Sequence, residues 1–168
     1  MDGPGEAAEF DAFVAARGPA LQRLARALVR DPADAEDVVR DVLAKALLKW
    51  RRVRRADDPV VYVNRMLVDE STSSRRWAVS RGHPRAPERG PGGGGADDSR
   101  EGADRRTLLT AVRALPTEQR AVVALRYLDE MPDERIAEVL RTSVGSVRVN
   151  AGRGLSRLRA SVVAVATA

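Results

Sequence analysis

The sequence predicts an all-α fold, in which two small helical domains are joined by a flexible Pro/Gly-rich linker. Apolar residues recur at intervals of three and four in the sequence before and after this linker, without strand alternation or Asn-Gly hairpin signals. Residues 81–104 hold three prolines and seven glycines with almost no apolar side chain, so burial cannot offset the entropy of ordering them. The 168 residues, 43% hydrophobic, suffice for one modest core or two small ones. We therefore expect helical domains over 1–80 and 105–168.

Composition limits the chemistry of the protein. The absence of cysteine excludes disulfides and thiolate catalysis, and the single His83 has no metal-ligand spacing around it, so we expect neither a metal nor another cofactor. Net charge is +5 and the pI is near 10.5, which favours a polyanionic partner. The first ten residues are acidic, and the apolar C-terminal end is far shorter than the roughly 20 residues of a membrane span. We expect a cytoplasmic protein that does not contact membranes.

Three or four helices are predicted in the N-terminal domain. The first is expected to be interrupted or bent at Gly18-Pro19, because proline cannot donate to the helical ladder. The second begins with Asp31 as cap and Pro32 at the first position, and the third with Asp58 and Pro59 in the same roles. The predicted apolar positions of the first two are Phe10, Phe13, Val14, Leu21, Leu24, Leu28, Val38, Val39, Val42, Leu43, Ala46, Leu47 and Trp50.

Charge is unevenly distributed along the second predicted helix. The early acids are Asp31, Asp34, Glu36, Asp37 and Asp41, and the late bases are Lys45, Lys49, Arg51, Arg52, Arg54 and Arg55. One interpretation is that acids favour the positive end of the helix dipole and bases the negative end. The other is a surface with two ends, acidic for a protein partner and basic for phosphates.

A helix-turn-helix is predicted in the C-terminal domain. Helical segments are expected at 108–115, 118–128, 132–140 and from Val144 to about Ser161, with Thr117 and Ser143 as N-caps of the second and fourth. The polar turn "RTS" separates the last two segments, and the second helix of such a motif can lie in the DNA major groove.

The last predicted helix is amphipathic. At 100° per residue, its apolar face comprises Val144, Val147, Ala151, Leu155 and Leu158. The opposite face comprises Ser146, Val149, Gly152, Arg153, Ser156 and Arg157, flanked by Arg148 and Asn150. This basic face is either a solvated surface or a DNA-binding surface, and periodicity alone does not separate the two.

Three stretches carry a family resemblance. "LPTEQRAVVALRYLDEMPDERIAEVLRTSVGSVRVNAGRGLSRLR" resembles the C-terminal promoter-binding domain of small, extracytoplasmic-function type bacterial sigma factors. "DPADAEDVVRDVLAKALLKW" resembles the polymerase-binding helix of their N-terminal domain, and "DPVVYVNRMLVDESTSSRRW" looks like the helix that follows it. Together the stretches cover nearly all of the chain outside the linker, in the family's order. The resemblance implies a non-enzymatic subunit that binds core RNA polymerase, recognises two promoter elements and assists DNA melting.

The resemblance also implies site residues, position by position. Core polymerase would contact Asp34, Glu36, Asp37, Val38, Arg40 and Asp41. The upstream promoter element would contact Ser146, Arg148, Val149, Asn150, Arg153 and Arg157. The melted downstream element would contact Arg54, Arg55, Arg65, Asp69, Arg75, Arg76 and Trp77. Further implied properties are a monomeric free state and control by an inhibitory anti-sigma protein.

Two alternatives stay open at this point. A free-standing helix-turn-helix regulator would leave the N-terminal domain without a role and would normally need dimer symmetry. A promoter-inactive, sigma-like decoy or adaptor is suggested by Asp69, where relatives often have Asn, and by Ser73 and Ser74, where many have tryptophans on which bases stack. An enzyme is disfavoured, since the glycine run 92–95 is linker composition and no nucleophile with a partnered base is evident.

Overall fold

The computed structural model describes residues 4–80 and 100–166, with the side chains of 5–72 and 102–162. The described residues are almost entirely helical, which confirms the predicted fold class. The helices are α1 (Pro4–Leu28), α2 (Asp34–Leu48), α3 (Trp50–Val53), α4 (Pro59–Ser80), α5 (Arg100–Ala114), α6 (Thr117–Leu128), α7 (Asp133–Leu140) and α8 (Val144–Ala166). His83, the glycine run 92–95 and most of the predicted linker lie outside the described residues.

The first helix is longer and more continuous than predicted. α1 runs unbroken through Pro19, so of the two predicted outcomes, an interruption or a bend, the interruption is wrong. Proline removes one backbone bond, but the turns that follow bury Leu21 and Leu24 almost completely, and this packing holds the helix together. The rings of Phe10 and Phe13 lie 5.3 and 5.4 Å from the ring of Trp50, which closes the outer end of the N-terminal core.

The two predicted Asp caps have different roles. Asp58 accepts hydrogen bonds from the amides of Val60 and Val61, at 2.9 and 3.2 Å, and so caps α4 as predicted. The carboxylate of Asp31 instead accepts from the amide of Ala33 at 3.0 Å, within a turn that precedes α2. α2 therefore begins three residues after the predicted cap. An Asx turn competes with the helix for the same side chain, which explains the difference.

The C-terminal half forms the predicted helix-turn-helix from α7 and α8. Arg141 ends α7 in the left-handed conformation (φ 53°, ψ 46°), and the amide of Thr142 bonds the carbonyl of Ala137. The Ser143 hydroxyl accepts from the amide of Ser146 at 3.1 Å, so it caps α8 as expected. Thr117 is not a cap, because Pro116 occupies that position without a side-chain hydrogen bond.

The two halves pack against each other around one continuous buried core. α1 packs on α6 and α4 packs on α7. Arg113 of α5 donates to the carbonyl of Arg26 at 2.8 Å, and Arg135 of α7 pairs with Asp58 at 3.2 Å.

α5 begins at Arg100, so residues 100–104 of the predicted linker are helical. None of the helices is long and apolar enough, over the residues searched in it, to cross a membrane.

Candidate functional site

The outward face of α8 carries the predicted upstream-element residues. Val147, Ala151 and Leu158 are buried against the rest of the C-terminal half, as the helical wheel predicts. The exposed positions of the opposite face are Val149, Gly152, Arg153, Ser156 and Arg157, and Arg148 is exposed at the flank. Ser146 and Asn150 are half-buried at the edges of this face. Five of the six predicted residues thus lie on or beside the outward face of α8, and Arg148 lies on the flank that borders α7.

A glycine sets how closely α8 approaches α6. A Cβ at Gly154 would lie 2.8 Å from Cγ2 of Val123, whereas a Cβ at Gly152 would have no neighbour within 4 Å. Val123 is buried and β-branched, so it cannot move aside easily. Gly154 is therefore required by the packing that fixes the angle of α8, and the sequence alone does not distinguish it from Gly152.

An ionic chain that sequence reasoning missed crosses the helix-turn-helix. The Asp133 carboxylate, at the start of α7, pairs through Oδ1 with Arg126 of α6. Its Oδ2 accepts from Nε of Arg148 at 3.3 Å. The hydrogen bond from Arg126, aided by Arg148, lowers the pKa of Asp133 below its usual range. The separations in sequence, seven and fifteen residues, are those of contacts between helices, so periodicity within one helix could not reveal them.

The predicted polymerase-binding residues lie on the exposed side of α2, with one exception. Asp34, Glu36, Asp37, Arg40 and Asp41 are exposed, and Arg40 pairs with Asp37 at 2.8 Å.

Val38 is 3% exposed and belongs to the core, so its side chain is not part of the exposed surface of α2 in this conformation. Position 38 fits both the apolar spacing of the helix and the family's set of docking residues, and in the structure its side chain is packed in the core. Partial desolvation of its carboxyl, reinforced by repulsion from Asp31 and Asp37, raises the pKa of Asp34 although the residue is exposed. The same surface ends in Leu48, which is 85% exposed.

The predicted downstream-element residues are divided between two places. Arg55 lines an open cleft of 510 Å³ together with Arg51, Arg52, Ala56 and Tyr62. This cleft combines guanidinium groups with an aromatic ring, a composition that suits phosphates and unstacked bases.

Arg54 is not among the lining residues of the cleft and pairs with Glu6 and Glu9 of α1, each at 3.2 Å. Arg65 donates to the carbonyl of Glu138 at 2.7 Å, and Asp69 lies 3.9 Å from Arg141.

Arg65 and Asp69 therefore face α7 in this conformation, apart from the cleft. Arg75, Arg76 and Trp77 belong to α4, but their side chains lie outside the described residues.

Comparison with known proteins places both halves of the chain in one family. Residues 13–78 match the family model "Sigma-70 region 2", and residues 105–158 match "Sigma-70, region 4". The RNA polymerase sigma-E factor of Streptomyces coelicolor is 33% identical over 160 residues, which cover 95% of this chain and 89% of the relative. The sigma-E factor of Streptomyces avermitilis is 32% identical over 155 residues, covering 92% and 86%.

Two solved structures share the fold. The sigma factor RpoE of Bartonella quintana, in complex with the anti-sigma factor NepR, superposes with a TM-score of 0.73 at 21% identity, covering 92% of this chain and 96% of that one. CnrH in complex with the cytosolic domain of CnrY gives a TM-score of 0.63 at 22% identity, covering 92% and 88%. The family matches and the sigma-E relatives agree over nearly the whole sequence, so the chain belongs to the sigma-70 family of RNA polymerase sigma factors, the non-enzymatic subunits that bind core RNA polymerase and direct transcription initiation at promoter DNA.

Proposed function

We propose that this sigma factor uses three separate surfaces for its three contacts in transcription initiation. The exposed acidic side of α2 binds core polymerase, the outward face of α8 reads the upstream promoter element, and the cleft beside α3 receives the downstream element. The observation that carries the proposal is the α8 face itself. Its arginines and Val149 are exposed while the opposite side of the same helix is buried, as expected for a recognition helix of a helix-turn-helix.

Charge supports the assignment of α2 to a protein partner. Asp34, Asp37 and Asp41 repel DNA, so this surface suits a basic protein surface and not a promoter. Asp37 and Asp41 are four residues apart and share a face of the helix. Leu48 extends the same exposed surface and adds an apolar contact for the partner.

Geometry supports two DNA-reading units that must separate. Arg65 donates to α7 in this conformation, so its guanidinium becomes available to DNA when the two halves move apart, whereas Asp69 is 62% exposed and already accessible. We infer that the N-terminal half and the half that begins with α5 at Arg100 act as units, and that the part of the predicted linker before Arg100 is their tether, which lets both units contact separated promoter elements at once. Stabilisation of the packed arrangement would keep the factor inactive, and this suits control by an anti-sigma protein. We expect the free factor to be a cytoplasmic monomer.

Reconstitution with core polymerase tests the proposal. The full-length chain is combined with core polymerase, promoter DNA is selected from a random pool, and open complexes are detected on the selected sequences. We expect a stable complex and enrichment of a two-part DNA motif. Failure to form the complex would contradict the proposal, while a complex that never opens DNA would favour a promoter-inactive decoy.

Charge reversal assigns the polymerase surface. Asp37→Lys with Asp41→Lys should weaken binding to core polymerase, most clearly at low salt, where charge effects are largest. Asp11→Lys with Asp104→Lys reverses two exposed acids of α1 and α5 and is the matched control. If the two double variants bind core polymerase with equal affinity, the acidic side of α2 is not part of the interface.

A further inference from the structure

Asp133 connects the body of the C-terminal half to its recognition helix. It is the first residue of α7, and its side chain is 15% exposed. Arg126 of α6 holds one carboxylate oxygen, and the other accepts from Nε of Arg148 on α8 at 3.3 Å. The carboxylate is thus fixed from the buried side and offers a defined contact to a side chain that is itself 67% exposed.

Arg148 differs in this respect from the other arginines of the proposed DNA surface. Within the described side chains, neither Arg153 nor Arg157 makes a side-chain hydrogen bond or ion pair. A free arginine suits a phosphate, which accepts donors from many directions. An arginine held by a fixed acid has lost much of its rotamer freedom before binding, which favours directional recognition of a base edge.

The atom used in the contact determines what remains for DNA. Asp133 engages Nε of Arg148, so Nη1 and Nη2 stay available as paired donors. Two parallel donors match O6 and N7 of guanine in the major groove. The Asp133 carboxylate, whose pKa its two arginines lower further, is ionised at neutral pH, so the contact is a charged one under physiological conditions.

We propose that Asp133, anchored by Arg126, is a positioning residue that orients Arg148 to read a guanine of the upstream element. The inference rests on the proposed function, because it requires that α8 faces DNA. It adds a residue outside the predicted site and separates the roles of the arginines. Arg148 reads a base, and Arg153 and Arg157 hold phosphates.

Binding of the polymerase holoenzyme to single-base variants of its selected promoter tests this role. Asp133→Asn keeps the shape of the side chain but removes its charge, and Arg148→Ala removes the reader. Arg148→Ala should lower discrimination for guanine at one position by about tenfold. Asp133→Asn should lower discrimination at that same position by about threefold to tenfold, without changing the salt dependence of binding. The double variant should discriminate no better or worse than Arg148→Ala alone.

Control variants separate positioning from general effects of charge or stability. Glu134→Gln removes a neighbouring exposed acid of α7 and should leave base discrimination unchanged. Arg126→Gln releases the anchor of Asp133 and should relax the same guanine position as Asp133→Asn, which provides a second route if one variant folds poorly.

The possible contrary outcomes are distinct. A uniform gain in affinity for Asp133→Asn would mean that the carboxylate only repels phosphates, and a uniform loss would mean that it has a structural role. Either result would overturn this inference and leave the proposed role of α8 intact. No position-specific effect of Arg148→Ala would overturn the inference together with the proposed role of α8.

Discussion

Arg17 and Asp129 lie 112 residues apart in sequence and form an ion pair between the two halves of the protein. Nη2 of Arg17 donates to both carboxylate oxygens of Asp129, at 2.7 and 2.8 Å. Nδ2 of Asn64 donates to the same carboxylate at 2.8 Å. Asp129 therefore ties the end of α6 to both α1 and α4. Its side chain is only 4% exposed, so loss of its partners would leave a buried charge.

Asp129→Ala should weaken the packing of the two halves. The substitution leaves the buried amide of Asn64 and the partly buried guanidinium of Arg17 without their acceptor. We expect the free energy of unfolding to fall by about 2 to 4 kcal/mol. Chemical denaturation of the full chain measures the loss. Arg23→Met, at an exposed position of α1, is the control and should change stability little. An unchanged unfolding midpoint for Asp129→Ala would mean that this ion pair does not hold the halves together.

Two glycines of α8 should respond oppositely to alanine. Gly154→Ala places a Cβ 2.8 Å from the buried side chain of Val123, so we expect a net loss of about 1 to 2 kcal/mol after the gain in helix propensity. Gly152→Ala meets no atom within 4 Å and should stabilise the helix by up to about 1 kcal/mol. Thermal unfolding of both variants tests the pair. Stabilisation by both substitutions would show that α8 can shift away from α6 without penalty.

The ionised side chain of Asp34 should lower the free energy of unfolding at neutral pH. Burial and the charges of Asp31 and Asp37 raise its pKa above 3.8, so the folded state binds protons more readily than the unfolded state. Stability therefore decreases as pH rises through the folded pKa, and the full cost applies above it. Asp34→Asn removes this cost and should stabilise the protein at pH 7 by about 0.5 kcal/mol or less, since the site is exposed.

The pH dependence provides the check on Asp34. The advantage of Asp34→Asn, measured by denaturation, should shrink as pH falls toward and below 3.8, where Asp34 is protonated in both states. If the difference is independent of pH, the stabilisation has another source. The same variant should bind core polymerase more weakly, because it removes a negative charge from the surface proposed to face a basic partner.

Local chemistry explains which elements the sequence could predict. Side-chain type and position predict Asp58 and Ser143 as caps, and the helical spacing of Val147, Val149 and Ala151 predicts the two faces of α8. These features depend on residues within about one helical turn, so the pattern contains the information needed to predict them.

Features that depend on contacts between helices could not be predicted in this way. Nothing near Asp133 in sequence indicates that Arg126 and Arg148 converge on it, and nothing near Val38 separates a core valine from a docking valine. The path of α1 through Pro19 likewise depends on the packing of Leu21 and Leu24 against other helices. Tertiary packing overrides local preference at each of these positions.

Val149 should contribute to base recognition by an apolar contact. It is 51% exposed on the outward face of α8, among the residues proposed to contact DNA. In the major groove a valine can pack on the methyl group of thymine. Val149→Ala should therefore reduce affinity at one base position, by less than about 1 kcal/mol, and should leave the salt dependence unchanged.

The matched variant for Val149→Ala is Arg157→Ala, at a position proposed to hold a phosphate. Loss of a phosphate contact should weaken binding to all sequences similarly and reduce the salt slope by about one unit. Binding of both variants to a panel of single-base promoter changes, at two salt concentrations, distinguishes the two kinds of contact. Because Val149 carries no charge, a change in salt slope cannot arise from its removal alone. A uniform loss of affinity for Val149→Ala, or no loss, would place this side chain outside the base-reading surface and leave Arg148 as its main reader.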